Sequence, residues 1–312
     1  MHPRFHELVD DTYAEAFKSI FAEVLVTARD RTWLDHAVQA ATGNASSTIL
    51  CDCEAGLDRY VGPGGDESFV TPDGRPGAIL QFHLPRFRKD RVEALERVLL
   101  VRLSQNVLTC PTASCFNLLD TEPYFKLGRK IAFFGDGHQF RDVRHGRRVW
   151  VIPILGGEFV VERRFGFRDG LMGGNLWFFG GTLDAALEAA ERARDAAARV
   201  PGVILPFPGG VAASGSKAGS RYKFSIAGTY AEFCPTLRDK LGAASRLPPG
   251  VASVMEIILN GVDLPTIAEA TRRAVDAALD VPGLVRISAG NYGGRLGKSF
   301  IHLHPQPAPA AN

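Results

Sequence analysis

The chain has 312 residues, of which 46% are hydrophobic and 22% are charged, and its formal net charge is +2 at pH 7. This composition is typical of an ordered globular protein of two domains, and no basic block points to nucleic-acid binding. The amino terminus lacks an apolar targeting segment and no apolar stretch reaches membrane-spanning length, so we expect a cytoplasmic protein without a membrane partner.

The first half of the chain predicts a sheet with two helices. Its predicted strands are 24–28, 48–51, 78–82 and 107–109. A first helix is predicted over 31–41, with Asp30 as its N-cap and Gly43 just past its end. Apolar residues at helical spacing from Val92 to Leu99 indicate a second helix. The resulting order, β-α-β-β-α-β, is the ferredoxin-like pattern.

The second half repeats this order. Its predicted strands are 176–179, 203–205, 254–259, 284–287 and 299–303. One alanine-rich helix is predicted over 183–198, beginning near Thr182. The other covers 264–279, with Asp263 as its cap and Pro265 in its first turn.

These patterns predict an α+β protein made of two tandem ferredoxin-like lobes. We expect one lobe over residues 1–152 and the other over 153–304, because Arg147-Arg148 and Gly156-Gly157 bracket a plausible boundary. Residues 305–312, rich in proline and alanine, are expected to form a disordered tail. The long loops at 54–77 and 206–252 carry many aromatic residues, which favours ordered arms that pack on a lobe or on a neighbouring subunit.

The loop over residues 205–223 follows a predicted strand and holds two prolines, four glycines, three serines and three cations, with no acidic residue. Its peptide N–H groups and the cations Lys217, Arg221 and Lys223 would suit a bound anion. A basic surface loop is the alternative. The loop is not a phosphate-binding loop, because Ser216 stands where the lysine of that motif belongs, and no dinucleotide-binding glycine motif follows a strand.

Glu256 is the only acidic residue in the apolar strand predicted at 254–259. If it is buried, its charged form is disfavoured and its pKa rises, which suits a general acid or base. The alternative is a carboxylate that points to solvent from the polar face of the strand.

Other polar residues give weaker signals. His302 and His304 share one face of a predicted strand without a nearby third ligand, and Asp136 stands between glycines as expected for a turn. The five cysteines lack zinc or thioredoxin spacing, so we expect reduced thiols and no metal site; they are Cys51, Cys53, Cys110, Cys115 and Cys234.

Several segments, in order along nearly the whole chain, resemble the formylmethanofuran:tetrahydromethanopterin formyltransferase family. In the first half they are 12–17, 53–56, 71–77 and 133–137. In the second half they are 173–175, 206–210, 214–217, 233–236, 255–257 and 287–294.

The resemblance implies an enzyme that moves a formyl group between N5 of tetrahydromethanopterin and the amine of methanofuran. These two coenzymes are its substrates, and no prosthetic group or metal is implied. Glu256 matches the glutamate to which the family assigns the acid/base role. The glycine-rich loop and the 291–294 turn would supply substrate-binding groups, namely Gly209, Gly210, Ser214, Ser216, Lys217, Asn291, Tyr292 and Gly293.

The family also implies a homotetramer. Its bacterial members serve in a formyltransferase/hydrolase complex that works in the direction of formaldehyde oxidation. The chain departs from the family at Tyr230 and Ala231, which stand where Asn-Asp is usual. The alternative interpretation is therefore a diverged, weakly active or non-catalytic structural subunit of such a complex.

Overall fold

The computed structural model describes residues 2–295 and 297–305. The predicted tail beyond residue 305 lies outside the described residues. Strands β1 to β16 are, in chain order, Tyr13–Thr27, Glu54–Val61, Gly77–Pro85, Ser114–Asn117, Tyr124–Phe125, Phe140–Arg144, Arg147–Ile154, Gly157–Glu162, Phe165–Gly166, Arg168–Gly180, Val203–Ile204, Lys217–Ala218, Ala227–Gly228, Ser253–Gly261, Leu284–Ser288 and Ser299–His302. Helices α1 to α7 are Phe5–Leu8, Arg31–Thr42, Arg91–Arg102, Leu127–Ala132, Leu183–Ala197, Arg238–Leu241 and Leu264–Ala278.

The fold is mixed α+β, as expected, and it divides into two compact units. The middle unit is Lys18–Gly170, and the terminal unit joins the residues up to Phe17 with those from Leu171 onward. The chain passes from one unit to the other within β1 and within β10. The boundary predicted at 152/153 lies within β7, close to the β7–β8 hairpin at whose turn the glycines at 156 and 157 lie. The division into lobes over 1–152 and 153–304 stays a prediction.

In the middle unit the strands run in the order β2-β3-β1-β4-β8-β7-β6. All pairs are antiparallel except β4 with β8. Helices α2 and α3 cover one face through an apolar cluster that includes Leu34, Leu95 and Phe82. The predicted Asp30 cap is confirmed, since its side chain accepts a hydrogen bond from the Trp33 N–H at 3.1 Å.

Two predicted strands of this unit are wrong. Residues 48–51 form a turn, in which the Glu54 carboxylate accepts from the N–H and the hydroxyl of Thr48. Residues 107–109 continue from helix α3 through a π-helical turn, because Leu99, Leu103 and Val107 are fully buried at helical spacing of four. The second and fourth strands of the predicted β-α-β-β-α-β order are instead β2 and β4.

In the terminal unit the strands run in the order β11-β14-β10-β15, and β16 pairs with the start of β1. Helices α5 and α7 pack on one face of the sheet through buried alanines, including Ala189 and Ala274. The caps predicted at Thr182 and Asp263 are confirmed, with N–H donors at 3.1 and 2.9 Å.

The other face of this sheet is covered by part of the long 206–252 segment. Tyr230, Phe233, Leu247 and Val251 pack against Trp177 and its neighbours on β10. The expectation of an ordered aromatic arm is met by these residues. Among the described helices, none is long and apolar enough to cross a membrane.

Candidate active site

Glu256 lies in the middle of β14 with only 9% of its surface exposed. The register places it opposite Trp177 on β10. Its Oε1 atom accepts two hydrogen bonds, from Asn175 Nδ2 at 2.7 Å and from Trp177 Nε1 at 2.9 Å. The side chain is therefore buried and held by two neutral donors from the neighbouring strand, and the solvent-facing alternative does not apply.

The surroundings of Glu256 favour its neutral form. Burial raises the pKa of this carboxyl, and the hydrogen bonds from Asn175 and Trp177 partly oppose that rise because they favour the charged form. A carboxyl balanced in this way can both take up and release a proton nearer neutral pH than an exposed glutamate can.

The amide of Asn175 has a fixed orientation. Its Oδ1 accepts from the backbone N–H of Gly290 at 3.1 Å, so its Nδ2 is the group that faces Glu256. Gly290 is also the residue type that this contact requires. A Cβ at that position would lie 2.6 Å from Asn175 Nδ2 and 2.8 Å from the ring of Trp177.

Glu256 lines a cavity of about 200 Å³, called here the Glu256 cavity. Ser214, Thr229 and Cys234 are among the other residues that line it. A second, polar cavity of about 490 Å³ is lined by residues that include Arg246 and Asn291. Three aromatic side chains line both cavities, and they are Trp177, Tyr230 and Phe233.

The aromatic rings that line both cavities are in mutual contact. The Trp177 ring lies 5.1 Å from that of Tyr230 and 4.9 Å from that of Phe233, centroid to centroid. Burial and a hydrogen bond with Tyr292 raise the pKa of the Tyr230 phenol, so it stays protonated at neutral pH. The Arg246 guanidinium lies over the Phe233 ring at 5.0 Å.

The glycine-rich loop reaches the site through its backbone. Ala212 forms an antiparallel bridge with Glu256, with hydrogen bonds of 2.7 and 2.9 Å between their main chains. This bridge brings Ser214 to the Glu256 cavity. Of the predicted substrate-binding residues, Ser214 is the one that lines the Glu256 cavity.

Gly209 and Gly210 lie against helix α5. The carbonyl of Gly209 accepts from Arg194 at 2.7 Å, and a Cβ on Gly210 would collide with the Arg194 side chain at 2.7 Å. Both residues have positive φ angles, 60° and 77°. They line neither of the two cavities, and they lie where the chain turns toward Ala212.

Ser216 and Lys217 lie further along the loop. The Ser216 carbonyl accepts from the hydroxyl of Tyr292 at 3.5 Å, and Lys217 Nζ lies 3.8 Å from the Glu232 carboxylate. Tyr292 in turn packs near Tyr230, with ring centroids 6.4 Å apart. The two predicted loops are therefore brought together through Tyr292.

The turn after β15 does not offer the free donors that we expected of it. The Glu15 carboxylate accepts from the N–H groups of Tyr292 and Gly294, both at 2.6 Å, and from that of Gly297 at 3.0 Å. The Asn291 amide donates to Thr12 at 3.0 Å while its residue lines the polar cavity. Gly293 is exposed and lines neither cavity.

Sequence reasoning missed the groups that surround the acid. Asn175 and Trp177 alternate along β10 and therefore share one face of the sheet, but nothing in the local sequence marks Trp177 as more than a core residue. Asn175 could have been noticed as a polar residue just before an apolar strand. Phe233 and Cys234 reach the cavity only through the path of the arm.

No candidate metal centre is found in the part of the chain that the structure describes, where no three His, Cys, Asp or Glu side chains cluster. His304 is hydrogen-bonded to the Val9 carbonyl at 2.8 Å, and His302 packs near the Tyr13 ring. Asp136 takes the left-handed conformation of a turn, with φ of 48°. All five cysteines are free thiols.

Comparison with known proteins identifies the family. The family model described as formylmethanofuran-tetrahydromethanopterin formyltransferase matches residues 6–154, and the model of its proximal lobe matches residues 157–305. The formylmethanofuran–tetrahydromethanopterin formyltransferase of Methanosarcina mazei is 45% identical over 298 residues, covering 95% of this chain and 97% of the relative. That of Methanocaldococcus jannaschii is 45% identical over 300 residues, covering 95% and 96%.

Two solved structures are similar over nearly their whole length. The formyltransferase from Methanosarcina barkeri superposes with a TM-score of 0.89 at 43% identity, covering 97% of this chain and 99% of that one. A chain of the formyltransferase/hydrolase complex from Methylorubrum extorquens, solved with methylofuran, gives a TM-score of 0.86 at 40% identity, with 95% of each chain covered. The chain belongs to the formylmethanofuran–tetrahydromethanopterin formyltransferase family.

Proposed function

We propose that this protein transfers a formyl group between N5 of tetrahydromethanopterin and the amine of methanofuran, with Glu256 as the general acid and base. The observation that carries the proposal is the buried Glu256 carboxyl in a cavity, held by two neutral donors and with a raised pKa. The family membership supplies the two coenzyme substrates.

The reaction is an acyl transfer between two nitrogen atoms, and it needs no change of oxidation state. The attacking nitrogen forms a bond to the formyl carbon and loses a proton to Glu256. The carbonyl oxygen becomes an oxyanion in a tetrahedral intermediate, for which hydrogen-bond donors are required. When the bond from carbon to the leaving nitrogen breaks, Glu256 returns the proton to that nitrogen.

The lining of the cavity suits this chemistry. The Ser214 hydroxyl has no partner among the described residues and can donate to the oxyanion. The aromatic side chains Trp177, Tyr230 and Phe233 exclude water, which would otherwise hydrolyse the formyl group. We propose Ser214, Ser216, Lys217, Asn291 and Tyr292 as groups of the substrate-binding rim. Gly209, Gly210 and Gly293 act in this proposal through the loop conformations that they permit.

The proposal extends to assembly and fold. We propose that both lobes are ferredoxin-like. The adjacent strands β2-β3-β1-β4 and β11-β14-β10-β15, each set with two helices on one face, support this proposal. We also propose a homotetramer as the basic assembly. The similarity to a chain of a formyltransferase/hydrolase complex supports additional subunits as partners. The direction of formaldehyde oxidation is proposed from the family resemblance alone.

The test is a direct assay with formyl-tetrahydromethanopterin and methanofuran. We expect transfer by the parent protein and a loss of at least about 100-fold in Glu256→Gln, since general acid–base catalysis contributes about 10²–10⁴-fold. Glu269→Gln is the matched control, because Glu269 is paired with arginines on the surface of α7. A parent without transfer would refute the proposed reaction, and an active Glu256→Gln would refute the assigned acid and base.

A second candidate function is a structural subunit with little turnover. The position of Tyr230 favours it, since this bulky ring occupies the wall of the Glu256 cavity and contacts Trp177. Restoring space with Tyr230→Asn separates the two candidates. An enzyme adapted to Tyr230 loses activity in this variant, whereas a subunit blocked by the ring gains it.

A further inference from the structure

The two oxygen atoms of Glu256 have different surroundings. Oε1 accepts from Asn175 at 2.7 Å and from Trp177 at 2.9 Å. Within the described part of the chain, no hydrogen bond reaches Oε2. Since Glu256 lines the cavity, the oxygen without a protein partner is the one left for a substrate.

The Asn175 amide cannot reverse its role without losing a hydrogen bond. Its Oδ1 is held by the Gly290 N–H, so turning the amide over would place Nδ2 against that N–H and Oδ1 against the carboxylate of Glu256. Two donors would then face each other, and two acceptors as well. The backbone of Gly290 thus fixes which atom of Asn175 meets the acid.

Gly290 also controls the distance between the Glu256 carboxylate and its two donors. A side chain on Gly290 would occupy the space of both Asn175 Nδ2 and the Trp177 ring. Because both donors of Oε1 lie against Gly290, the backbone just after β15 sets the position of the carboxylate. Asn175 does not line the Glu256 cavity, so its effect on a substrate passes through Glu256.

We propose that Asn175, locked by Gly290, is a positioning residue that binds Oε1 of Glu256 and thereby leaves Oε2 as the oxygen that exchanges the proton. This inference rests on the proposed function for its catalytic consequence. It concerns a residue that contacts Glu256 but does not line the cavity, and that acts on a substrate only by orienting the acid.

Few other groups can titrate near Glu256. From the arm, the Tyr230 phenol and the Cys234 thiol face the same cavity, and the nearest acidic neighbour on the arm is Glu232, close to Lys217. The groups from β10 are the neutral side chains of Asn175 and Trp177. Burial raises the pKa of the Tyr230 phenol, which stays protonated at neutral pH. The polar cavity on the other side of Trp177 adds the charged groups of Asp10, Asp11, Arg246 and Arg286.

The experiment compares Asn175→Leu and Asn175→Asp with the parent protein. Leucine keeps the shape of the side chain and removes one donor, so the pKa of Glu256 should rise by about one to two units, the effect of one hydrogen bond to a charged group. The limb of the pH–rate profile that reports Glu256 moves to higher pH by that amount. Aspartate moves it further, because two adjacent carboxyls share a proton.

The fluorescence of Trp177, whose indole N–H donates to Glu256, reports the titration of Glu256 without any bound coenzyme. The fluorescence of the parent minus that of Trp177→Phe, followed against pH without coenzymes, gives a midpoint for Glu256. Asn175→Leu should raise this midpoint as well. The matched control is Asn260→Leu, since the Asn260 amide also accepts from a backbone N–H, that of Gly173 at 2.9 Å.

The control should lower stability without moving either pH readout, which separates positioning from general loss of packing. A midpoint that is unchanged in Asn175→Leu overturns this inference, whatever the activity. A parent protein without transfer activity refutes the proposed function alone. A shifted midpoint together with a shifted pH–rate profile supports both.

Discussion

Adding one methyl group at Gly290 tests how closely the site depends on its backbone. In Gly290→Ala the new Cβ falls 2.6 Å from Asn175 Nδ2 and 2.8 Å from the Trp177 ring, whereas ordinary contacts begin at 3.4 Å. The Asn175 and Trp177 side chains must therefore move by roughly 0.6–0.8 Å to reach ordinary contact distance. Each of them donates to the same oxygen of Glu256, so the acid moves with them.

The expected losses of reaction rate and of folding stability follow from this displacement. A misplacement of about 1 Å at a reacting group lowers the rate by about 100-fold. Overpacking of a filled site also lowers the free energy of unfolding, by about 1–3 kcal/mol. We thus expect a folded protein with a large loss of kcat and a smaller change in thermal stability.

The assay measures formyl transfer and thermal unfolding for Gly290→Ala and for a matched variant, Gly181→Ala. Gly181 lies in the same unit and has room for a methyl group, with its nearest neighbouring atoms 3.6 Å from the added Cβ. The control should keep the activity of the parent. If Gly290→Ala folds and transfers formyl groups as fast as the control does, the positioning argument is refuted.

Three further predictions concern buried ionisable groups. Burial lowers the pKa of His83 from 6.5 to about 3, so the stability due to its neutral form is present above pH 6.5 and is lost as the pH falls toward 3. In His83→Gln, the free energy of unfolding measured in urea should therefore change with pH by about 1.4 kcal/mol less per pH unit in this range. An unchanged dependence on pH would contradict the prediction. Glu15→Gln should destabilise the turn after β15, since it replaces a carboxylate that accepts hydrogen bonds from three backbone N–H groups. Hydrogen exchange of those three amides should therefore be faster in the variant than in the parent. Equal exchange rates would count against the prediction. Because the pKa of Glu256 is raised in the folded state, the parent loses stability as the pH rises through that pKa. The melting temperature of Glu256→Gln minus that of the parent should therefore be larger in alkaline than in acidic buffer. A difference that is independent of pH would refute this prediction.

The sequence predicted most of the regular elements because their signals are local. Helix α2 follows its Asp30 cap, and helix α7 follows its Asp263 cap and Pro265. The two wrong strands, at 48–51 and 107–109, are short apolar runs, whose conformation depends on what packs beside them. The middle-unit hairpins β6 to β8 went unpredicted, since charged residues interrupt the apolar pattern of these strands.

The candidate site was predicted only in part. Glu256 could be found because a lone carboxylate in an apolar strand is visible in the sequence, and Ser214 because the loop composition is unusual. The substrate-binding role expected of the turn after β15 stays a prediction. Its contact with Glu15 could not be predicted, since Glu15 is distant in sequence and accepts from the N–H groups of Tyr292 and Gly294 only in the fold.

The sequence by itself determined the α+β class, the family resemblance and the lone acidic residue of the apolar strand at 254–259. Only the tertiary structure decided which groups meet that acid. Asn175 and Trp177 lie on β10, which pairs with β14, and Gly290 follows β15, which pairs with β10. A hydrogen-bonded register is a property of paired strands rather than of either segment alone. The pKa and orientation of Glu256 follow from burial and from those two donors, so they are set by packing that no local pattern encodes.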